Sequence, residues 1–291
     1  RPLERAKEPY ALPDTLQCYA ETALAHLRAK GGLLHNEPKV RLVSEPFKLL
    51  SPDQQGGIAI QQTSYYAGVC SNELTRFVAA PREYPKGGRD LFDTVRRPKT
   101  GMLYDFDHSE LSNHMGGGTL ALTPDGRLLF SKQGRLAAVA AGLLAPAGSG
   151  SFDWADQHTA VTFGDLIKKG VERELCEECG LTNGHLARTI VLGMARDLAR
   201  GGKPDFYAIT LLRGSPSTLQ PQVHSSEIGL VDHHQSIPLA ADSCAELRRQ
   251  LQDWLTQEQE NCSPALMMNL HLLIQASDAT LEVLLGHMGR A

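Results

Sequence analysis

The sequence predicts a mixed α/β fold of the α+β kind, and three observations lead to it. Short apolar segments flank Asp125-Gly126, a dipeptide that favours a tight hairpin between two strands. Ile167, Val171 and Leu175 recur at every fourth position and lay one apolar stripe along a helix. Two more helical patterns follow near the end of the sequence, over residues 242–259 and 264–285. We expect an N-terminal α/β region of unassigned role over residues 1–112, and a second domain over residues 113–291 that includes both C-terminal helices.

In the first region, residues 15–30 carry Leu16, Tyr19, Ala20, Ala23, Leu24 and Leu27 at helical spacing, with Gly31-Gly32 as the stop. Residues 40–50 read as a strand that Pro46 places at a sheet edge. Residues 58–69 alternate as another strand, and Tyr65-Tyr66 suits a sheet. Residues 80–107 contain Pro81, Pro85, Gly87, Gly88 and Pro98 and read as an extended connection. Asp105, Asp107 and His108 offer metal-ligand chemistry, but a polar loop is the reading we adopt for them.

In the second region, Gly116-Gly117-Gly118 leads into the strand Thr119 to Thr123, the turn Pro124-Asp125-Gly126 and the strand Arg127 to Lys132. No Lys-Ser/Thr follows the glycines, which argues against a phosphate-cradling P-loop. Lys132 and Arg135 stand at the far end of the hairpin as candidates for contacting substrate phosphates, with plain solubility as the alternative. Residues 187–192 and 206–212 read as further strands. Between them lies a basic turn from Arg196 to Asp205, in which Lys203 is a third substrate-binding candidate. On the closing helices, Leu247, Leu251, Trp254 and Leu255 form one stripe and Leu266, Leu270, Leu273 and Ile274 another; they suit a core or a homodimer surface.

Composition sets the outer bounds. With 42% hydrophobic and 21% charged residues in 291, the chain is an ordinary globular one with enough length for a sizeable core. A net charge of −4 gives no basis for tight sequence-independent binding to nucleic acid, which draws its affinity from neutralising phosphates. A nucleotide or another small phosphorylated molecule fits better. No apolar run approaches the roughly 20 residues that span a bilayer, so no membrane is expected. The first residues lack the apolar core of a signal peptide, and a cytoplasmic location is the expectation. Cys18, Cys70, Cys244 and Cys262 are scattered, and Cys176-x-x-Cys179 has no second pair to complete a zinc site, so reduced structural thiols are expected.

The stretch that carries chemistry is 164–181. Glu174, Glu177 and Glu178 stand at i, i+3 and i+4, within roughly a 100° arc of the helix beside its apolar stripe. Each like-charged pair costs a few tenths of a kcal/mol on an isolated helix, roughly. A hard divalent cation offsets that cost, since Mg²⁺ and Mn²⁺ prefer carboxylate oxygens; a solvated acidic face is the alternative. Gly180 then ends the helix.

Arg173, Glu174, Leu175, Glu177, Glu178, Gly180 and Leu181 together resemble the second half of the Nudix box, Arg-Glu-U-x-Glu-Glu-x-Gly-U with U apolar. The first half departs from the pattern. Asp165 stands where the family has Glu, and Thr159 where it has Gly, while Gly148-Ser149-Gly150-Ser151 is an upstream loop suited to replace that glycine turn. The resemblance implies an α/β/α sandwich with a mixed sheet. It also implies a metal-dependent hydrolase that cleaves the pyrophosphate linkage of a nucleoside diphosphate joined to another moiety. Glu174, Glu177 and Glu178 would be catalytic and would hold Mg²⁺ or Mn²⁺, with Asp165 as a supplementary ligand and Arg173 as a brace through Glu177 or a neighbouring loop. One of the acidic residues, or Glu227, would be the general base. Asp232, His233 and His234 are further candidates, and nothing in the sequence chooses among them. Two other readings stay open: a Nudix-fold regulator that binds a nucleotide without cleaving it, and an active N-terminal half served by a Nudix-like sensor or oligomerisation platform.

Overall fold

The computed structural model describes residues 1–29, 36–50, 56–74, 95, 97, 99–135, 140–215, 219 and 229–289. The chain divides into two compact units. Unit 1 comprises Arg1–Gly116, Ser151–Leu166 and Ala195–Asp205, and unit 2 comprises Gly117–Gly150, Ile167–Met194 and Phe206–Ala291.

Unit 1 contains a three-stranded sheet of β1 (Leu3–Arg5), β2 (Pro38–Leu42) and β3 (Ile58–Ser64) in the order β1-β3-β2. β1 runs parallel to β3 and β2 antiparallel to it. Short helices α1 (Asp14–Gln17), α2 (Ala20–Ala29) and α3 (Tyr65–Val69) accompany it. Leu16, Tyr19 and Ala23 pack with Val69, Leu74 and Leu111 in one buried cluster.

Three sequence expectations change here. The strand expected over 40–50 ends at Leu42, and Pro46 instead opens a 3-10 turn, Pro46–Leu50, because proline's fixed φ suits the start of a turn and its missing N–H does not suit a ladder. The strand expected over 58–69 stops at Ser64, whose side chain accepts from the Ala67 amide and starts a helix at Tyr65; the cap outweighs the β preference of the tyrosines. The helix expected over 15–30 is interrupted at Cys18 and Tyr19. The expected stop at Gly31-Gly32 and the proline-glycine stretch 80–94 lie outside the described residues.

The larger sheet, most of which lies in unit 2, has seven strands. They are β4 (Gly116–Leu122), β5 (Arg127–Gln133), β6 (Leu144–Pro146), β7 (Gly148–Ser151), β8 (Leu186–Asp197), β9 (Lys203–Leu212) and β10 (Val231–Pro238). The main order is β10-β5-β4-β9-β8, with β6 paired to β5 and β7 to β4. β4 and β5 form the expected hairpin: Leu122 pairs with Leu128, and Gly126 takes φ +74° in the turn. Among the described residues, four longer helices follow: α4 (Phe163–Cys179), α5 (Cys244–Glu258), α6 (Pro264–Ile274) and α7 (Asp278–Met288). The single helix expected over 264–285 is two, because Ser277 caps a new helix by accepting from the Thr280 amide.

Side-chain alternation along the hairpin assigns the two sheet faces. Leu120, Leu122, Leu128 and Phe130 pack on one face with Leu247, Leu251 and Leu255 of α5, Leu266, Leu270 and Leu273 of α6, and Leu281 and Leu284 of α7. Trp254 stacks on Phe130 with ring centroids 4.8 Å apart. Ala121 and Leu129 point the other way, into a cluster with Leu175 and Cys179 of α4. The result is an α/β/α sandwich in which the helical stripes at the C-terminal end are core. Among the described residues, no helix is long and apolar enough to cross a membrane.

Candidate active site

Helix α4 is defined at both ends by local chemistry. Thr162 and Asp165 form a capping box: the Thr162 amide and hydroxyl donate to Asp165 Oδ2 at 2.9 and 2.8 Å, and the Asp165 amide donates to Thr162 Oγ1 at 3.1 Å. At the other end Gly180 takes φ +62° and the Leu181 amide returns to the Cys176 carbonyl at 3.0 Å. Ile167, Val171 and Leu175 are buried as the stripe requires. Each such side chain contributes roughly 1.5–3 kcal/mol on burial, which exceeds the mutual repulsion of the glutamates.

The three carboxylates have different surroundings. Arg173 spans two of them, donating to Glu174 Oε1 at 3.0 Å and, one turn on, to Glu177 Oε2 at 2.8 Å. Glu177 is the most open of the set, with 42% of its side chain exposed against 13% for Glu174. Glu178 is buried, and its Oε1 accepts the Ser149 backbone amide at 3.1 Å. Strand β7 therefore presses directly on the acidic helix. Where the sequence predicts a loop, Gly148–Ser151 is a strand paired with β4. Its glycines are required by proximity. A Cβ at Gly148 would overlap the backbone of Leu175, and one at Gly150 would overlap the carboxylate of Glu174.

This donor set suits a hard divalent ion: oxygen ligands only, on one helix, with a glycine cradle against one carboxylate and a backbone amide orienting another. Glu174, Glu177 and Glu178 do not all close on a common point in the present arrangement. Among the described residues, the one trio whose ligand atoms lie within 4.8 Å of one another is Asp105, Asp107 and His108. That trio is already neutralised, since Lys48 sits 3.0 Å from both aspartates and Arg97 2.9 Å from Asp105. The segment expected as a polar loop contains a 3-10 turn, Phe106–His108.

The remaining candidates are placed as follows. Asp165 serves the helix cap, about two and a half turns before Glu174. Lys132 is half-buried on β5 opposite His233, and Arg135 is exposed just beyond the strand. Lys203 is 1% exposed, with its ammonium paired to Asp205. The rest of the basic turn is also engaged: Arg200 pairs with Glu73, and Arg196 donates to the Tyr104 carbonyl at 2.7 Å while lying over the Phe106 ring. Glu227 lies outside the described residues. Asp232 and His233 pair with each other at the surface. His234 turns inward, with Nδ1 3.3 Å from Ser131 Oγ and 3.8 Å from Cys179 Sγ; burial lowers its pKa, and the Glu178 backbone partly offsets this.

Sequence reasoning missed the contact of Gly150 with Glu174, the Ser149 amide on Glu178 and the second arm of Arg173. The alternating Gly-Ser-Gly-Ser was the available signal, because side chains that small along a strand let a helix backbone approach.

No protein-family model matches the sequence, and none of the curated proteins compared with it does. Solved structures similar to it include a NUDIX hydrolase from Alicyclobacillus acidocaldarius (12% identity, TM-score 0.40, 58% of this chain and 94% of that one). A second is the NUDIX domain of Shewanella oneidensis NrtR complexed with ADP ribose (16%, TM-score 0.36, 58% and 88%). A third is a bifunctional NMN adenylyltransferase/ADP ribose pyrophosphatase from Francisella tularensis complexed with AMP and a manganese ion (15%, TM-score 0.38, 59% of this chain). The matched part spans 42% of that longer protein.

Proposed function

We propose that this chain is a Nudix-type hydrolase that cleaves the pyrophosphate linkage of a nucleoside diphosphate derivative with the help of Mg²⁺ or Mn²⁺. The observation that carries the reading is the fit of β7 against the box helix, which leaves room for the Glu174 carboxylate at Gly150 and aims the Ser149 amide at Glu178. Glu174, Glu177 and Glu178 would hold the ion, which supplies charge neutralisation at the phosphoryl oxygens and lowers the pKa of bound water. Glu178 is oriented before any ligand arrives, and its burial keeps bulk water from screening it. Glu177, the most open carboxylate, is the one free to move on its helix once Arg173 releases it. Lys132 and Arg135 are the proposed contacts for the substrate's phosphates. Asp165 and Lys203 are each committed to a protein partner, Asp165 to the cap of α4 and Lys203 to Asp205.

The test is release of nucleoside monophosphate from a panel of nucleotide sugars, dinucleotides and nucleoside triphosphates, with either metal. Turnover that falls by roughly a hundredfold or more in Glu177→Gln and Glu178→Gln supports the reading. The grip of Arg173 on two of the three carboxylates favours a second reading, a nucleotide-binding regulator that does not cleave its ligand. Saturable nucleotide binding with no turnover across the panel would select it.

A further inference from the structure

A cleft of about 460 Å³ lies along the flank of α4, lined by Lys169, Glu172, Arg173 and Glu177 of the helix and by Asn183 and Arg188 from the segment after it. Its volume falls within the range of small-molecule sites. Lys169, Arg173 and Glu177 follow one another at i, i+4 and i+8, so one row of the helix forms a wall of the cleft. Three cations face two carboxylates there. Among the described residues, Lys169 and Arg188 make no ion pair, so two of the three positive charges are uncommitted. Arg173 is the committed one, and its partners are two of the proposed metal ligands.

We propose that this cleft binds a small molecule bearing a phosphate group. Lys169 and Arg188 receive the phosphate first, and the Asn183 amide offers a polar contact for the rest of the ligand. The phosphate then competes for Arg173, because a guanidinium fork binds phosphate oxygens as well as carboxylates. Release of Glu174 and Glu177 from Arg173 makes their oxygens available, so occupancy of the cleft strengthens divalent-ion binding on the helix. By linkage, the ion strengthens ligand binding by the same factor. This coupling rests on the hydrolase reading of the helix; anion binding in the cleft does not.

The experiment has two arms on the full chain. In the first, AMP and inorganic phosphate are titrated calorimetrically into protein freed of metal by chelation. Binding is expected in the unaltered chain and at least about tenfold weaker binding in a Lys169→Gln/Arg188→Gln variant, with melting temperature as the check on folding. Absence of metal-free binding, or equal affinity in the variant, overturns the site. In the second arm, Mn²⁺ binding is followed by the loss of its free-ion paramagnetic resonance signal, with and without AMP. A roughly tenfold gain in Mn²⁺ affinity in the unaltered chain, absent in the variant, supports the coupling; equal gains in both overturn it. Lack of turnover in the substrate panel would defeat the hydrolase reading while leaving the first arm intact, so the two failures are distinguishable.

Discussion

Gly150 lies so close to Glu174 that a single added methyl group would occupy the space of the carboxylate. The neighbour in the way is the end of a flexible side chain, so Gly150→Ala is expected to displace Glu174 and spare the fold. Mn²⁺ affinity should fall by about 10- to 100-fold, while the melting temperature stays within a few degrees. Gly148→Ala is the contrast, because its Cβ would meet the Leu175 backbone, which cannot swing aside. Destabilisation of about 1–3 kcal/mol in a denaturant melt is expected there.

The buried pair of Arg200 and Glu73 in unit 1 gives a second prediction. Burial disfavours the guanidinium charge, but Glu73 and Asp205 outweigh it and keep the arginine's pKa raised. Arg200→Ala removes a charge partner of Glu73, which is only 6% exposed. A loss of about 3–5 kcal/mol in urea unfolding is expected. Adding Glu73→Leu to that variant should restore part of it.

His114 should make stability depend on pH. Its ring is fully enclosed beside Gly68, and burial, reinforced by Lys203, Arg200 and Lys39, holds its pKa well below the usual histidine value. The unfolded chain therefore takes up the proton first. Stability is complete above the unfolded-state pKa of about 6.5 and declines as the pH falls below it, by up to about 1.4 kcal/mol per pH unit. Urea midpoints in His114→Leu should vary less between about pH 7 and pH 5 than those of the unaltered chain. An equal slope in both would refute the assignment.

The cysteines should separate by reactivity. All six are free thiols. Cys179 is buried, donates to the Ala147 carbonyl at 3.2 Å and is held protonated mainly by burial, while Cys176 is pushed up to about 11 by burial and by Glu172 and Glu177. Cys18 is exposed. Mass spectrometry after brief iodoacetamide treatment at neutral pH should find Cys18 modified first and Cys179 only after denaturation.

What was legible in the sequence was local and periodic. The 3.6-residue stripe of α4 and the Asp125-Gly126 hairpin need only neighbours in the chain to be recognised, and they place the acidic helix and its sheet. The continuous apolar pattern over 264–285 concealed the Ser277 cap, and Tyr65-Tyr66 concealed the cap at Ser64. β7 has almost no β propensity and exists as a strand because it fills a narrow space beside α4, which is a tertiary fact. Lys203 reads as a surface cation until Asp205 is noticed two residues on, hence on the same face of a strand.

Arg173 gives the resting molecule a tethered counter-ion. In the proposed reading, a metal that settles on Glu174 and Glu177 competes with a charge attached to the same helix, which lowers its apparent affinity. A monovalent cation offers half the Coulombic return of a divalent one at equal distance. On that reading, charge alone favours a divalent ion over sodium or potassium at these carboxylates.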